Sequence, residues 1–342
     1  MTTDPILPAL TARVRATAHA RTPTCPCPAG SAGSAGSEGF GGSAGSGGSA
    51  GSAGRSGPAV TLADRPDATV VRHAGTVAKA HAPDADPQGL ARRVALAARL
   101  PGILLPPLDP APVTLHDRLV TFWPYGIPVD PDHPGAAPWE AAGTLLARLH
   151  RTPAPAGTPA MRGPAKAAAA LTRLRAAARH DPRATPVLRA WSALPPWARD
   201  EEPWPDNPVL CHGDLHLGQL VRHPAPDGPW LLIDVDDLGV GAPAWDLARP
   251  AAWYACGLLP PEEWTRFLTA YRVAGGPAVP PHGDPWPALD TAARALTAQT
   301  AARALTKAIE ADRPLDEVDG AVVDACARMA ALPVELSASH AK

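Results

Sequence analysis

His212-Gly213-Asp214-Leu215-His216-Leu217-Gly218-Gln219, followed by Leu232-Ile233-Asp234, is the part of this 342-residue chain from which the rest can be placed. A strand-like run at residues 208–211 leads into it, which puts Asp214 on a loop leaving a strand. Gln219 follows five residues later. Asp234 comes 20 residues after Asp214, at the exit of the apolar run Leu231-Leu232-Ile233. A carboxylate on such a loop can accept a hydrogen bond from a hydroxyl and aim it. An amide carbonyl and a second carboxylate are the hard oxygen donors that magnesium takes. Phosphoryl transfer asks for little more than these, since its catalysis is mostly positioning and charge stabilisation.

Composition narrows the alternatives. A net charge of -2 gives no broad basic field for nucleic acid, and 5% aromatics leave little for a base-stacking surface. No apolar run reaches the length of a membrane span. The first residues lack a signal peptide's basic start and long apolar stretch, having Asp4 early and arginines only at 13 and 15. Five cysteines at 25, 27, 211, 256 and 326 match no disulfide framework or zinc spacing, so a reducing, cytoplasmic setting is expected. Cys25 and Cys27 form the only close pair, a redox or metal pair in one reading and two free thiols in a flexible arm in the other.

The chain divides by texture. Residues 7–18 read as a short helix with Leu7, Leu10, Val14 and Ala18 on one face. Residues 30–57 are almost wholly Gly, Ser and Ala, too poor in apolar side chains to offset their ordering entropy, and read as a flexible linker. They are no phosphate-binding loop, because no Gly-Lys-Ser/Thr ending follows. From residue 58 come three short strands, a helix over 86–100 and two more strands over 113–122. Helices are expected from 138 to 150, 165–179, 244–256, 261–274, 288–310 and 315–331, with a hairpin of 219–222 and 230–235 between them. The expected organisation is an arm with linker at 1–57, a small unit at 58–126 and a large one at 127–342.

The motifs resemble the aminoglycoside phosphotransferase family, the small-molecule branch of the protein-kinase-like fold. The resemblance is strongest over 205–255, weaker over 60–150 and absent before 58. It implies an α+β, bilobal fold: a small antiparallel sheet with one helix, then a larger, mostly helical lobe. It implies ATP or another nucleoside triphosphate with Mg2+ as cofactors, and a small hydroxyl-bearing acceptor such as an aminoglycoside, amino alcohol or sugar. Asp214 takes the role of catalytic base. Gln219, Asp234 and, with less support, Asp236 take the role of metal ligands. Gln219 stands where the family usually has Asn, although some members carry Gln there. Lys79, in Val77-Ala78-Lys79, is one of only four lysines in a chain that otherwise uses arginine, and is expected to reach the nucleotide phosphates. Phe122, Trp123 and Tyr125 fall at the expected adenine-binding hinge. Asp246, in Pro243-Ala244-Trp245-Asp246-Leu247-Ala248, and His212 are expected to buttress the catalytic loop.

Two features depart from the family pattern. The helix after Lys79 reads Leu90-Ala91-Arg92-Arg93-Val94-Ala95-Leu96 and has no acid to pair with that lysine, and Asp84 and Asp86 are the nearest substitutes. The segment 62–68, where phosphates are expected, has no glycine. These departures keep a non-catalytic, nucleotide-binding pseudokinase as the alternative. A metallophosphoesterase is excluded. Gly213-Asp214-Leu215-His216 fits its Gly-Asp-x-His element, but the accompanying Gly-Asn-His box and upstream Asp-x-His are missing. If the acids at 200–202, 206 and 262–263 flank the site, an amine-bearing acceptor is expected.

Overall fold

The computed structural model describes residues 6–21, 57–179, 181–204 and 208–331. The 30–57 linker, save Gly57, and the Cys25–Cys27 pair lie outside the described residues. The chain divides into two compact units, Met1–Pro87 with Pro106–Tyr125, and Gln88–Leu105 with Gly126–Lys342.

The first unit opens with helix α1 (Ile6–Arg21). Strands β1 (Val60–Arg65), β2 (Ala68–His73) and β3 (Thr76–Ala80) follow. After helix α2 (Pro87–Ala98), which apart from Pro87 belongs to the second unit, come β4 (Val113–Leu115) and β5 (Arg118–Pro124). The five strands pair antiparallel in the order β1-β2-β3-β5-β4. Strand alternation sorts their side chains into two faces. Val71, Ala78, Ala80, Val120 and Phe122 share the face covered by α1, whose Ile6, Leu10 and Val14 repeat every four residues and are fully buried against them. Val77, Lys79, Thr121 and Trp123 point to the opposite face, with Val77 paired to Trp123 and Lys79 to Thr121.

The second unit contains α2, β6 (Ile127–Pro128), α3 (Trp139–His150), α4 (Gly163–Ala177) and α5 (Ala184–Ser192). It continues with β7 (Val209–Cys211), β8 (Leu220–Arg222), β9 (Trp230–Leu232) and β10 (Gly239–Gly241). Helices α6 (Ala244–Ala255), α7 (Pro261–Val273), α8 (Trp286–Glu310) and α9 (Glu317–Ala330) complete it. Two small antiparallel sheets, β6-β8-β9 and β10-β7, lie among these helices.

The division between Tyr125 and Gly126 falls within a residue of the boundary expected at 126, while α1 and α2 fall in other units than expected. Helix α1 is no separate arm: its apolar stripe is part of the first unit's core. Helix α2 does not belong with the strands that precede it. Its buried Arg93 donates to the carbonyls of Leu238 (2.8 Å) and Ala160 (3.2 Å), which fixes the helix to the second unit. Helix α5 and strand β10 were not foreseen. Pro186 lies in the first turn of α5, where proline is tolerated but obscures the helical pattern. β10 is only three residues long and two of them are glycine.

Candidate active site

Strand β7 ends at Cys211 and the chain turns at Gly213, whose φ is +87°. A Cβ there would collide with the Asp237 carbonyl oxygen, so only glycine lets the loop pass. The loop is held by one fully buried carboxylate. Asp246, in the first turn of α6, accepts the backbone N–H of His212 at 2.6 Å and of Gly213 at 2.7 Å. Behind it runs a buried chain of hydrogen bonds: the Ala278 N–H donates to the Tyr271 hydroxyl, which meets His150 Nδ1 at 2.8 Å, while His150 Nε2 meets Asp246 at 3.0 Å. Burial alone would raise the Asp246 pKa, but the His150 contact and the loop amides hold it below the usual carboxylate value. Cys211 lies close enough to His150 and Asp246 to suggest a metal trio. The His150 and Asp246 atoms are already used in this network.

Asp214 follows and is half-buried. Its two oxygens are both taken by cations: Lys166 of α4 donates to Oδ2 at 3.0 Å, and Arg249 of α6 to Oδ1 at 2.6 Å. Burial pushes this carboxyl up, and the two neighbouring positive charges outweigh it, so Asp214 sits well below the ordinary carboxylate range. Lys166 also bonds Asp237, a nearly buried acid. Burial raises the Asp237 pKa and the Asp214 and Asp234 charges add to that, with Lys166 opposing them.

The second acid is reached through the hairpin. Ile233 donates its N–H to the Gln219 carbonyl at 2.9 Å, extending the β8–β9 ladder to bring residues 219 and 233 side by side. His212 Nε2 meets the Ile233 carbonyl at 2.8 Å, linking the Asp214 loop to the same strand exit. Asp234 then adopts φ +67°, a left-handed conformation that Asp tolerates better than most residues, and its carboxylate accepts the Asp236 N–H at 3.2 Å. Asp214 and Asp234 act electrostatically on the same two groups, His216 and Asp237. His216 is driven down to about 4 by burial, with the Arg249 charge adding to it, so its ring is neutral at pH 7. Gln219 is buried, and its side-chain amide makes no hydrogen bond among the described residues.

In the first unit, Lys79 lies on the sheet face away from α1, together with Trp123. Trp123 Nε1 donates to Thr121 Oγ1 at 2.8 Å. The Arg72 guanidinium lies 3.4 Å from the centre of the Tyr125 ring. Phe122 differs from the expectation: its ring is 2% exposed in the core beneath α1, and its carbonyl accepts the Leu108 N–H. That removes its side chain from the nucleotide candidates. The β1–β2 turn is the two-residue Pro66-Asp67, with no glycine.

Sequence reasoning missed Lys166 and Arg249 as candidate site residues, and it gave Asp237 no role beyond the cluster of three acids in four residues. Lys166 carried the same signal as Lys79, a rare lysine in an arginine-rich chain. Arg249 stands three residues after Asp246, on the same face of α6. The acids at 201 and 263 have other partners, Glu201 pairing with Arg199 and Glu263 accepting from Trp139 Nε1 at 2.7 Å. Asp206 lies outside the described residues.

Among solved structures, the chain resembles a choline/ethanolamine kinase family protein from Mesorhizobium loti at 16% identity, TM-score 0.52, covering 83% of this chain and 92% of that one. It resembles spectinomycin phosphotransferase APH(9)-Ia at 13% identity, TM-score 0.53, covering 84% and 94%. It also resembles a thermostable mutant of aminoglycoside phosphotransferase APH(4)-Ia at 15% identity, TM-score 0.54, covering 82% and 96%. At such identities the likeness shows a shared fold, the protein-kinase-like fold of small-molecule phosphotransferases. No curated protein matches the sequence significantly. The profile of the phosphotransferase enzyme family (APH) matches residues 61–286, well over half of the chain, and the chain therefore belongs to that family.

Proposed function

We propose that the protein is an ATP-dependent kinase that moves the γ-phosphoryl group onto a hydroxyl of a small acceptor. The observation that supports this most is the Asp214 loop: a buried Asp246 fixes its amides, and Asp214 and Asp234 come from separate segments yet act on common neighbours.

Asp214 accepts the hydrogen bond of the incoming hydroxyl and aims its oxygen at phosphorus. Held well below the ordinary carboxylate range, it is a weak base, and its main task is orientation, which suits a loose transition state. Because Lys166 and Arg249 occupy both of its oxygens, the hydroxyl has to share or displace one of them. The displaced cation remains beside the reacting centre, where phosphoryl oxygens carry negative charge.

Magnesium fits the donor set: Gln219 offers an amide oxygen that makes no hydrogen bond among the described residues, and Asp234 a carboxylate. Asp236 is a weaker third candidate. Bound there, the ion would neutralise phosphate charge. In the first unit, Lys79, Trp123 and Tyr125 are the candidates for nucleotide phosphates and base. Among the described residues no helix is long and apolar enough to cross a membrane, and a cytoplasmic setting, where ATP and magnesium are abundant, is proposed for the reaction.

The test is transfer of label from γ-labelled ATP to a hydroxyl acceptor, with magnesium required. Saturable ATP binding without turnover on any acceptor would favour the pseudokinase alternative, which the acid-free helix α2 and the glycine-free β1–β2 turn support.

A further inference from the structure

Beside Asp214 lies a small recess lined by Trp245 and Arg249 of α6, Lys166 of α4, and Leu296 and Gln299 of α8. Its chemistry differs from what the acidic runs in the sequence suggested. Gln299 is 5% exposed, lines the recess, and makes no hydrogen bond among the described residues. Its amide group therefore faces the recess with donor and acceptor capacity open to whatever enters there. Leu296, Gln299 and Arg303 follow at three and four residues along α8, so they stand on one face of that helix.

Not every cation near the recess has a counter-charge. Asp214 lines the recess and Asp237 lies behind it, with Asp234 acting on Asp237; Lys166 and Arg249 already pair with the first two. Two further arginines, Arg162 and Arg303, stand near the same acids. Arg162 approaches Asp237 only to 4.0 Å. Arg303 is exposed at the surface and has no ion pair or hydrogen bond among the described residues, yet it is within electrostatic reach of Asp214, Asp237, Arg249 and Arg173. Arg173, exposed on α4, acts on Arg303 and likewise has no ion-pair partner among the described residues. Arg303 is thus disfavoured by the Arg249 and Arg173 charges, and an anion beside it relieves that repulsion.

From this geometry we propose that the acceptor bears an oxyanion, a carboxylate or phosphate monoester, which Arg303 and its arginine neighbours hold while Gln299 bonds a hydroxyl and Asp214 aims the reacting one. The proposal rests on the phosphotransferase reading and narrows it to hydroxylated anions, in place of amine-bearing acceptors. Arginine suits the task, since its planar fork matches carboxylate and phosphate geometry.

The experiment uses the full chain with γ-labelled ATP and magnesium against matched pairs: gluconate and glucose 6-phosphate against glucose, glycerate against glycerol, with kanamycin and choline as cationic acceptors. Binding of each compound is measured in parallel by calorimetry. At least one anionic member is expected to be bound and phosphorylated, with kcat/KM about tenfold or more above its neutral partner. Gluconate against glucose 6-phosphate separates carboxylate from phosphate recognition. Arg303→Gln and Gln299→Leu are each expected to raise KM for the anionic acceptor about tenfold while kcat changes little, and Arg303→Lys to recover part of the loss. If neutral or cationic acceptors are phosphorylated and no anionic member is, the proposal fails and the kinase reading stands. If anions bind in an Arg303-dependent way without label transfer, the recess is as proposed and the kinase reading fails. If no anionic member is bound or turned over, the proposal is wrong.

Discussion

Asp246 holds Gly213: the buried carboxylate of α6 accepts the Gly213 N–H at 2.7 Å, one residue before the acid that faces the recess. A single side chain thus sets where Asp214 can point. Asp246→Ala would strand the His212 and Gly213 amides and His150 in the interior. It is expected to destabilise the protein by about 3–5 kcal/mol in urea unfolding. Asp246→Asn keeps the shape but can satisfy fewer of those donors. Turnover is expected to fall about 100-fold with nucleotide affinity retained, because a small misplacement of Asp214 is enough. Equal losses of binding and turnover would argue for general unfolding instead.

Gly213→Ala tests the same loop from its backbone. The added Cβ meets the Asp237 carbonyl, and φ +87° is unfavourable for alanine. The strain alone is worth about 1–3 kcal/mol. A lower urea midpoint and reduced turnover are expected, and an unchanged midpoint would show that the loop relaxes freely.

The charges about Lys166 predict a pH dependence. Asp214 and Asp246 both have folded pKa values below the ordinary carboxylate value. For such acids the stabilisation is fully present above the unfolded value and is lost as pH falls through the folded one. Wild-type stability is therefore expected to decline below about pH 4. Lys166→Met removes the cation shared by Asp214 and Asp237, and the folded pKa of both rises. The cost, discounted for partial exposure, is about 2 kcal/mol at pH 7. It shrinks toward pH 4 as those acids take up protons. Urea midpoints at both pH values check this, and a cost independent of pH would contradict it.

Leu10 on α1 is fully buried against the five-stranded sheet. Leu10→Ala is expected to cost about 2–5 kcal/mol in unfolding of the first unit, followed by tryptophan fluorescence from Trp123. A dispensable arm would show no change.

The strand exits bearing Asp214 and Asp234 were legible in the sequence because apolar runs end abruptly in acids, and the hairpin between them because two β-rich runs flank a Pro/Gly turn. The apolar stripe of α1 was legible too, but its partner was not: periodicity reports which face is buried and not what buries it. That Phe122 and Trp123 point to opposite faces follows from strand alternation, but which of the two faces α1 covers was not legible. Lys166 and Gln299 lie 48 residues before and 85 after Asp214, and only the packing of α4 and α8 brings them beside it. No local spacing encodes that meeting.

The most direct test is label transfer from γ-labelled ATP by the wild type, Asp214→Asn and Asp234→Asn, with nucleotide binding measured alongside. The account predicts that Asp214→Asn loses transfer by a factor of about 100 or more while binding ATP normally, and that Asp234→Asn loses both transfer and the magnesium dependence of ATP binding. Undiminished transfer in either variant would contradict it.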